Sequence, residues 1–96
     1  MPFHGWQISR VQKSDLAQHL GVVVRKHRKL AKTTQEQLSE RADIDVRMIR
    51  LVETKGQNLS VNVAERIACG LGIPLSQMIR EAEDLRKRGI KKPEND

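Results

Sequence analysis

Aromatic side chains are almost absent from this chain: its 96 residues include one Phe, one Trp and no Tyr. A domain this small, with so little aromatic mass, must build its core from Leu, Ile, Val, Met and Ala, as small helical bundles do. The same lack removes the stacking platforms on which single-strand and RNA-binding modules rely. The lone cysteine, Cys69, excludes an internal disulfide and a zinc cluster of the CxxC kind. His4, His19 and His27 lack metal-ligand spacing, so neither a metal nor another cofactor is expected. No Ser/His/Asp arrangement, carboxylate pair or Gly-rich phosphate loop is visible, and enzyme activity is not expected. No apolar run approaches the length of a membrane span, and the opening MPFHGWQISR lacks the apolar centre of a signal peptide. A cytoplasmic protein with no membrane partner is the expectation.

What is present is positive charge and helical periodicity. Eighteen Lys and Arg against twelve Asp and Glu give a net charge of +6, which suits a polyanionic partner but does not by itself identify one. Residues 1–13 show no clear period, and 1–14 read as an N-terminal arm, with Trp6 either frayed or packed on the domain or a second subunit. A domain over 15–88 follows, and residues 89–96 read as a flexible tail. Ser14 is a candidate N-cap, with Asp15 in the first turn. Leu16, Leu20, Val24, His27 and Ala31 then form one stripe of a helix over 15–31. Val22 and Val23 lie off that stripe, which predicts partial exposure or cover from the arm or a partner. His27 reads as a hydrogen-bonded core histidine.

Thr34 and Gln37 make a capping-box pair for a second helix over 35–42, and a third runs over 46–54. Ser60 caps a fourth, with the stripe Val63, Ala64, Ile67, Ala68 and Leu71 and with Gly72 just past its end. Cys69 reads as a small buried filler on this helix. Pro74 suits the first turn of a fifth helix. That helix carries Leu75, Met78, Ile79, Ala82 and Leu85 and ends near Arg88-Gly89. The fold class is all-α, a compact bundle of five helices.

The segment Gln35–Glu53, reading QEQLSERADIDVRMIRLVE, is the most informative. The break between its two helices, Asp43 to Asp45, is too short for an antiparallel return, so the helices must meet steeply as a helix-turn-helix. The second of them can enter the DNA major groove, with Val46, Arg47, Arg50 and Leu51 on its outward side as candidate base contacts. Arg47 and Arg50 can each fork onto O6 and N7 of a guanine, and Val46 and Leu51 can meet thymine methyls. Lys55, Gln57 and Asn58, in the turn after this helix, are candidate contacts to the DNA backbone.

The chain resembles the Cro/cI, or XRE-type, helix-turn-helix family from Leu20 to Met78. The opening LGVVVRKHRKLAKTTQEQL carries Leu20-Gly21, Arg28 and Thr34-Gln35-Glu36-Gln37-Leu38. Glu53 ends the recognition helix, and Ser60 with ERIACGLGIPLSQM matches the closing pattern without a gap. The resemblance implies a lambda-repressor-like DNA-binding domain. It further implies that Gln35, at the start of the second helix, holds a phosphate and braces the recognition helix, and that Arg28 and Glu53 pair as a structural brace; Thr34 beside it is a further candidate contact to the DNA backbone. This sequence departs from the pattern at Ser39, usually Ala; at Asp43, usually Gly, where a positive φ is expected; at Lys55-Gly56, an inverted order; and at Leu59, often Pro. Asp45, where Ser or Thr is common, reads as a pure N-cap.

The resulting expectation is a transcriptional regulator that binds a pseudo-palindromic operator in double-stranded DNA as a homodimer. Its two recognition helices would sit one helical turn, about 34 Å, apart. Leu75 and Met78 are assigned to the core, which leaves Ile79, Ala82 and Leu85 for the dimer interface, with the N-terminal arm as the rival element. A phage repressor, a restriction–modification controller and an antitoxin all fit. The alternative class is an antitoxin-like subunit whose main partner is another protein, with DNA binding secondary.

Overall fold

The computed structural model describes residues 15–56 and 59–89. Five helices follow in order: α1 (Leu16–Leu30), α2 (Gln35–Ala42), α3 (Val46–Lys55), α4 (Val61–Leu71) and α5 (Leu75–Lys87). The expected N-terminal arm over residues 1–14, the candidate backbone contacts Gln57 and Asn58, and the expected tail beyond Gly89 lie outside the described residues.

Helix boundaries follow local chemistry. Thr34 Oγ1 accepts from the Gln37 backbone N–H at 3.0 Å, and Gln37 Oε1 accepts from the Thr34 N–H at 2.9 Å, the reciprocal capping box at the start of α2. Ser60 caps α4 in the same sense, its Oγ accepting from the Val63 N–H at 3.1 Å. At α1 the N-cap position falls on Asp15 rather than one residue earlier, with no side-chain cap. Instead the Asp15 carbonyl accepts from His19 Nδ1 at 2.8 Å. Among the described residues, three helices end with a left-handed residue and a hydrogen bond running back from the residue after it. These residues are Lys32 (φ 54), Asp43 (φ 56) and Gly72 (φ 76), and the closing bonds are Thr33 N–H to Arg28 O, Ile44 N–H to Ser39 O and Ile73 N–H to Ala68 O. Asp43 therefore adopts the positive φ that its place in the turn demands.

All five helices feed one aliphatic core. Leu20, Val23 and Val24 of α1 meet Leu38 of α2, Ile49 and Val52 of α3, Ala64, Ile67 and Ala68 of α4, and Met78 and Ala82 of α5. Three expectations need correction. Val23 is fully buried, because α5 packs chiefly across α1, not α4, and covers a second side of that helix. Ala82 is fully buried at this contact too, so it belongs to the core and is not free to form a dimer interface. Cys69 is exposed, since the inward side of α4 is already filled by Ala64, Ile67 and Ala68.

The α1–α5 contact is tied by Glu81. Its carboxylate accepts from Lys26 Nζ at 2.8 Å, His27 Nε2 at 3.0 Å and Gln77 Nε2 at 3.0 Å. Burial raises the Glu81 carboxyl, but the bonds from Lys26, Gln77 and His27 outweigh that and hold its pKa at about 2. His27 is thus hydrogen-bonded, at the edge of the core.

Two glycines set how α3 sits on α1. A Cβ at Gly21 would collide with the Val52 carbonyl oxygen, so only glycine lets the helices approach this closely. Gly56 closes α3 at φ 64, and a Cβ there would lie 2.7 Å from the Ala17 carbonyl. The recognition helix is therefore seated on α1 at its middle and at its end.

Candidate DNA-binding surface

The turn between α2 and α3 is held by side chains as well as by backbone. Ser39 Oγ donates to the Ile44 carbonyl at 2.6 Å, and Arg66 Nη1 of α4 donates to the Asp43 carbonyl at 2.9 Å. Ser39 in place of Ala thus satisfies a carbonyl inside the turn, a contact Ala cannot make. These bonds fix the point from which α3 departs.

Ile49 and Val52 bury one side of α3 completely, and Val46, Met48 and Leu51 are half-buried. Arg47 and Arg50 lie on the exposed side, each facing a carboxylate. Asp45 is the α3 N-cap, its Oδ1 accepting from the Arg47 backbone N–H at 2.8 Å. The same carboxylate accepts from Arg47 Nε at 3.2 Å and Nη2 at 2.9 Å. Those hydrogen bonds from the Arg47 side chain, and then from its backbone, hold the Asp45 pKa at about 2. Arg50 Nη2 donates to Glu36 Oε2 of α2 at 3.1 Å. Asp45, Arg47, Met48 and Leu51 line a shallow open concavity on this face. Met48, half-buried, therefore shares the surface with Arg47 and Leu51.

The C-terminal end of α3 is built differently. Arg28 donates to the Glu53 carboxylate through Nε at 2.7 Å and Nη2 at 3.0 Å, and to the Thr33 carbonyl through Nη1 at 2.9 Å. Gln35 Nε2 donates to Glu53 Oε1 at 3.0 Å. Glu53 is a fully enclosed carboxylate with three donors on it, a favourable arrangement for a buried charge. The first turn of α2, the end of α1 and the last turn of α3 meet at this one carboxylate.

Of the residues singled out from sequence, Val46, Arg47, Arg50 and Leu51 share α3, with Lys55 exposed in its last turn. Thr34 and Gln35 lie at the α2 N-terminus, and Arg28 and Glu53 are in bidentate contact. On α5, Ile79 and Leu85 are half-buried, and Leu85 borders a groove with Val22, Lys26 and Arg88. Sequence reasoning missed Thr33, which is buried and takes a hydrogen bond from Arg41 Nη1 at 3.2 Å. It also missed the partners Glu36, Arg66 and Glu81. None of these carries a local signal, because each is defined by a neighbour on another element.

Among solved structures, the wild-type restriction–modification controller protein C.Esp1396I is similar, with a TM-score of 0.64 and 26% identity over 75% of this chain and 99% of that one. The same protein bound to a 19 base pair DNA duplex gives 0.65 and 26%, over 73% and 97%. A single-residue mutant of it gives 0.65 and 27%, over 73% and 99%. No curated protein matches the chain. Among the described residues, no helix is long and apolar enough to cross a membrane. A helix-turn-helix family model matches residues 24–78, which takes in α2, the turn, α3 and the whole of the Arg28–Gln35–Glu53 brace. With more than half its length in that match, the chain belongs to the XRE-type helix-turn-helix family.

Proposed function

We propose that this DNA-binding transcriptional regulator reads a pseudo-palindromic duplex as a homodimer, with α3 of each protomer in the major groove. One observation carries the reading: α3 is locked on its inner side and at its C-terminal end, while its outer side presents Arg47 and Arg50 to solvent. A rigidly mounted helix with exposed guanidinium groups suits recognition of base edges. Its family and structural neighbours are DNA-binding regulators, not enzymes. That the similar C.Esp1396I has been seen on a DNA duplex supports double-stranded DNA as the partner.

The α2 N-terminus complements this surface. An amide NH2 has two donors, and Glu53 takes only one from Gln35. The second, together with the Thr34 hydroxyl and the backbone N–H groups of the first turn, suits a phosphate. Lys55, with Gln57 and Asn58, would contact the backbone beyond α3. For the dimer, Ile79 and Leu85 remain candidates, but Ala82 does not.

Base reading is tested by mobility shift across a salt series, using DNA from upstream of the protein's own coding sequence against mixed-sequence duplex. Arg47→Ala and Arg50→Ala should each lose sequence preference; unchanged affinity and preference in both would refute base readout by α3. The dimer has a separate test. Ile79→Asp with Leu85→Asp should sediment as a monomer while keeping its helical circular dichroism, and an unchanged dimer would reject this interface.

A further inference from the structure

The Asp45–Arg47 contact has a geometry that bears on how α3 selects sequence. A guanidinium presents five N–H donors in a plane, distributed over a side edge (Nε and one Nη) and an end edge (both Nη). Asp45 occupies the side edge, accepting from Nε at 3.2 Å and from Nη2 at 2.9 Å. One hydrogen of Nη1 and the second of Nη2 remain on the end edge, and the other hydrogen of Nη1 lies on the Cδ side. Guanine offers O6 and N7 side by side, two acceptors that match such an edge. The carboxylate and a guanine therefore do not compete for the same hydrogens.

The carboxylate is itself fixed. As the α3 N-cap it accepts from the Arg47 backbone N–H at 2.8 Å, which ties it to the helix terminus. The cap thus anchors the carboxylate, and the carboxylate anchors a long side chain that is 82% exposed and that has no other side-chain hydrogen bond among the described residues. Arg50 is held otherwise: Glu36 meets it through Nη2, across from another helix. Of these two arginines, it is Arg47 whose side edge is clasped by a residue of its own helix terminus.

We infer that Asp45 is a positioning and specificity-determining residue, which aims the end edge of Arg47 at guanine and, as a negative charge close to phosphates, weakens binding to other sequences. This rests on the reading of α3 as the base-contacting helix. The two roles act in the same direction: one strengthens the matched site, the other penalises sites where no guanine repays the approach of the carboxylate.

The test is selection from duplexes with a randomised centre, at fixed salt, by the wild type, Asp45→Asn and Arg47→Ala. Asn still caps the helix but cannot accept from both Arg nitrogens, so the thermal midpoint should be unchanged. The wild type should select a G·C pair at one position of each half-site, and Arg47→Ala should lose it. Asp45→Asn should keep that position with its preference reduced about tenfold, and should bind the unselected library more tightly. Asp45→Ser, a second capping residue, should relax the same position. If Arg47→Ala leaves the selected sequence intact, base reading by Arg47 fails altogether. If Arg47→Ala loses the position while Asp45→Asn keeps full preference, base reading stands and the role of Asp45 is overturned. An equal gain of Asp45→Asn on selected and unselected duplexes also overturns it, leaving charge repulsion alone.

Discussion

The recognition helix carries an arginine–carboxylate fork near each end, and the two differ in nearly everything except their chemistry. At its C-terminal end Arg28 and Glu53 have side chains 12% and 0% exposed; at its start Arg47 and Asp45 are 82% and 48% exposed. The first joins helices distant in sequence, and the second joins residues of one helix terminus. Enclosed, such a pair cannot lose one member without stranding a charge away from water. Exposed, it adds little to folding, since solvent replaces either partner readily. One fork therefore fixes where the helix lies, and the other governs what an exposed side chain is free to touch.

The largest effect should come from breaking the enclosed fork. Glu53→Ala leaves the Arg28 guanidinium and the Gln35 amide without their acceptor, and should cost about 3–5 kcal/mol in denaturant unfolding. A loss as small as that of a surface pair would erase the contrast. The Glu81 cluster is intermediate in burial and should be intermediate in effect. Its carboxyl, held at about 2 against an ordinary 4.5, favours the folded state at pH values above the unfolded pKa. That contribution is lost as pH falls from about 4.5 to about 2, and it amounts to roughly 1 kcal/mol after allowing for solvent screening. Unfolding curves of wild type and Glu81→Gln should converge across that interval; parallel curves would show that the cluster is not the source. The smallest effect on folding belongs to the exposed fork. Arg47→Ala should leave the thermal midpoint unmoved, and a clear drop by calorimetry would mean that the clasp is structural after all.

Much of this was legible in the sequence, for identifiable reasons. Periodicity, the Thr34–Gln37 box, the Ser60 cap and the glycine after α4 depend on residues within a turn or two of one another, and each element appears where those signals place it. The Arg28–Glu53 contact spans two helices and was reached only through resemblance to a family. Where neither local chemistry nor resemblance applied, the reading failed. Val23 and Ala82 are buried because α5 lies across α1, and no stripe on either helix states which neighbour it will meet. The same holds for Glu36 beside Arg50 and for Arg66 on the Asp43 carbonyl. At the site, residue types on α3 named the candidates, but that both arginines meet carboxylates follows only from the turn geometry and the placement of α2.

The contact at Gly56 has a mechanical consequence. There the backbone ending α3 rests directly on the backbone of the first turn of α1, with no side chain between them to bend or rotate. Backbone against backbone is a stiff joint. With no side-chain rotamer between the two backbones to take up a displacement, the end of α3 keeps its place on the start of α1.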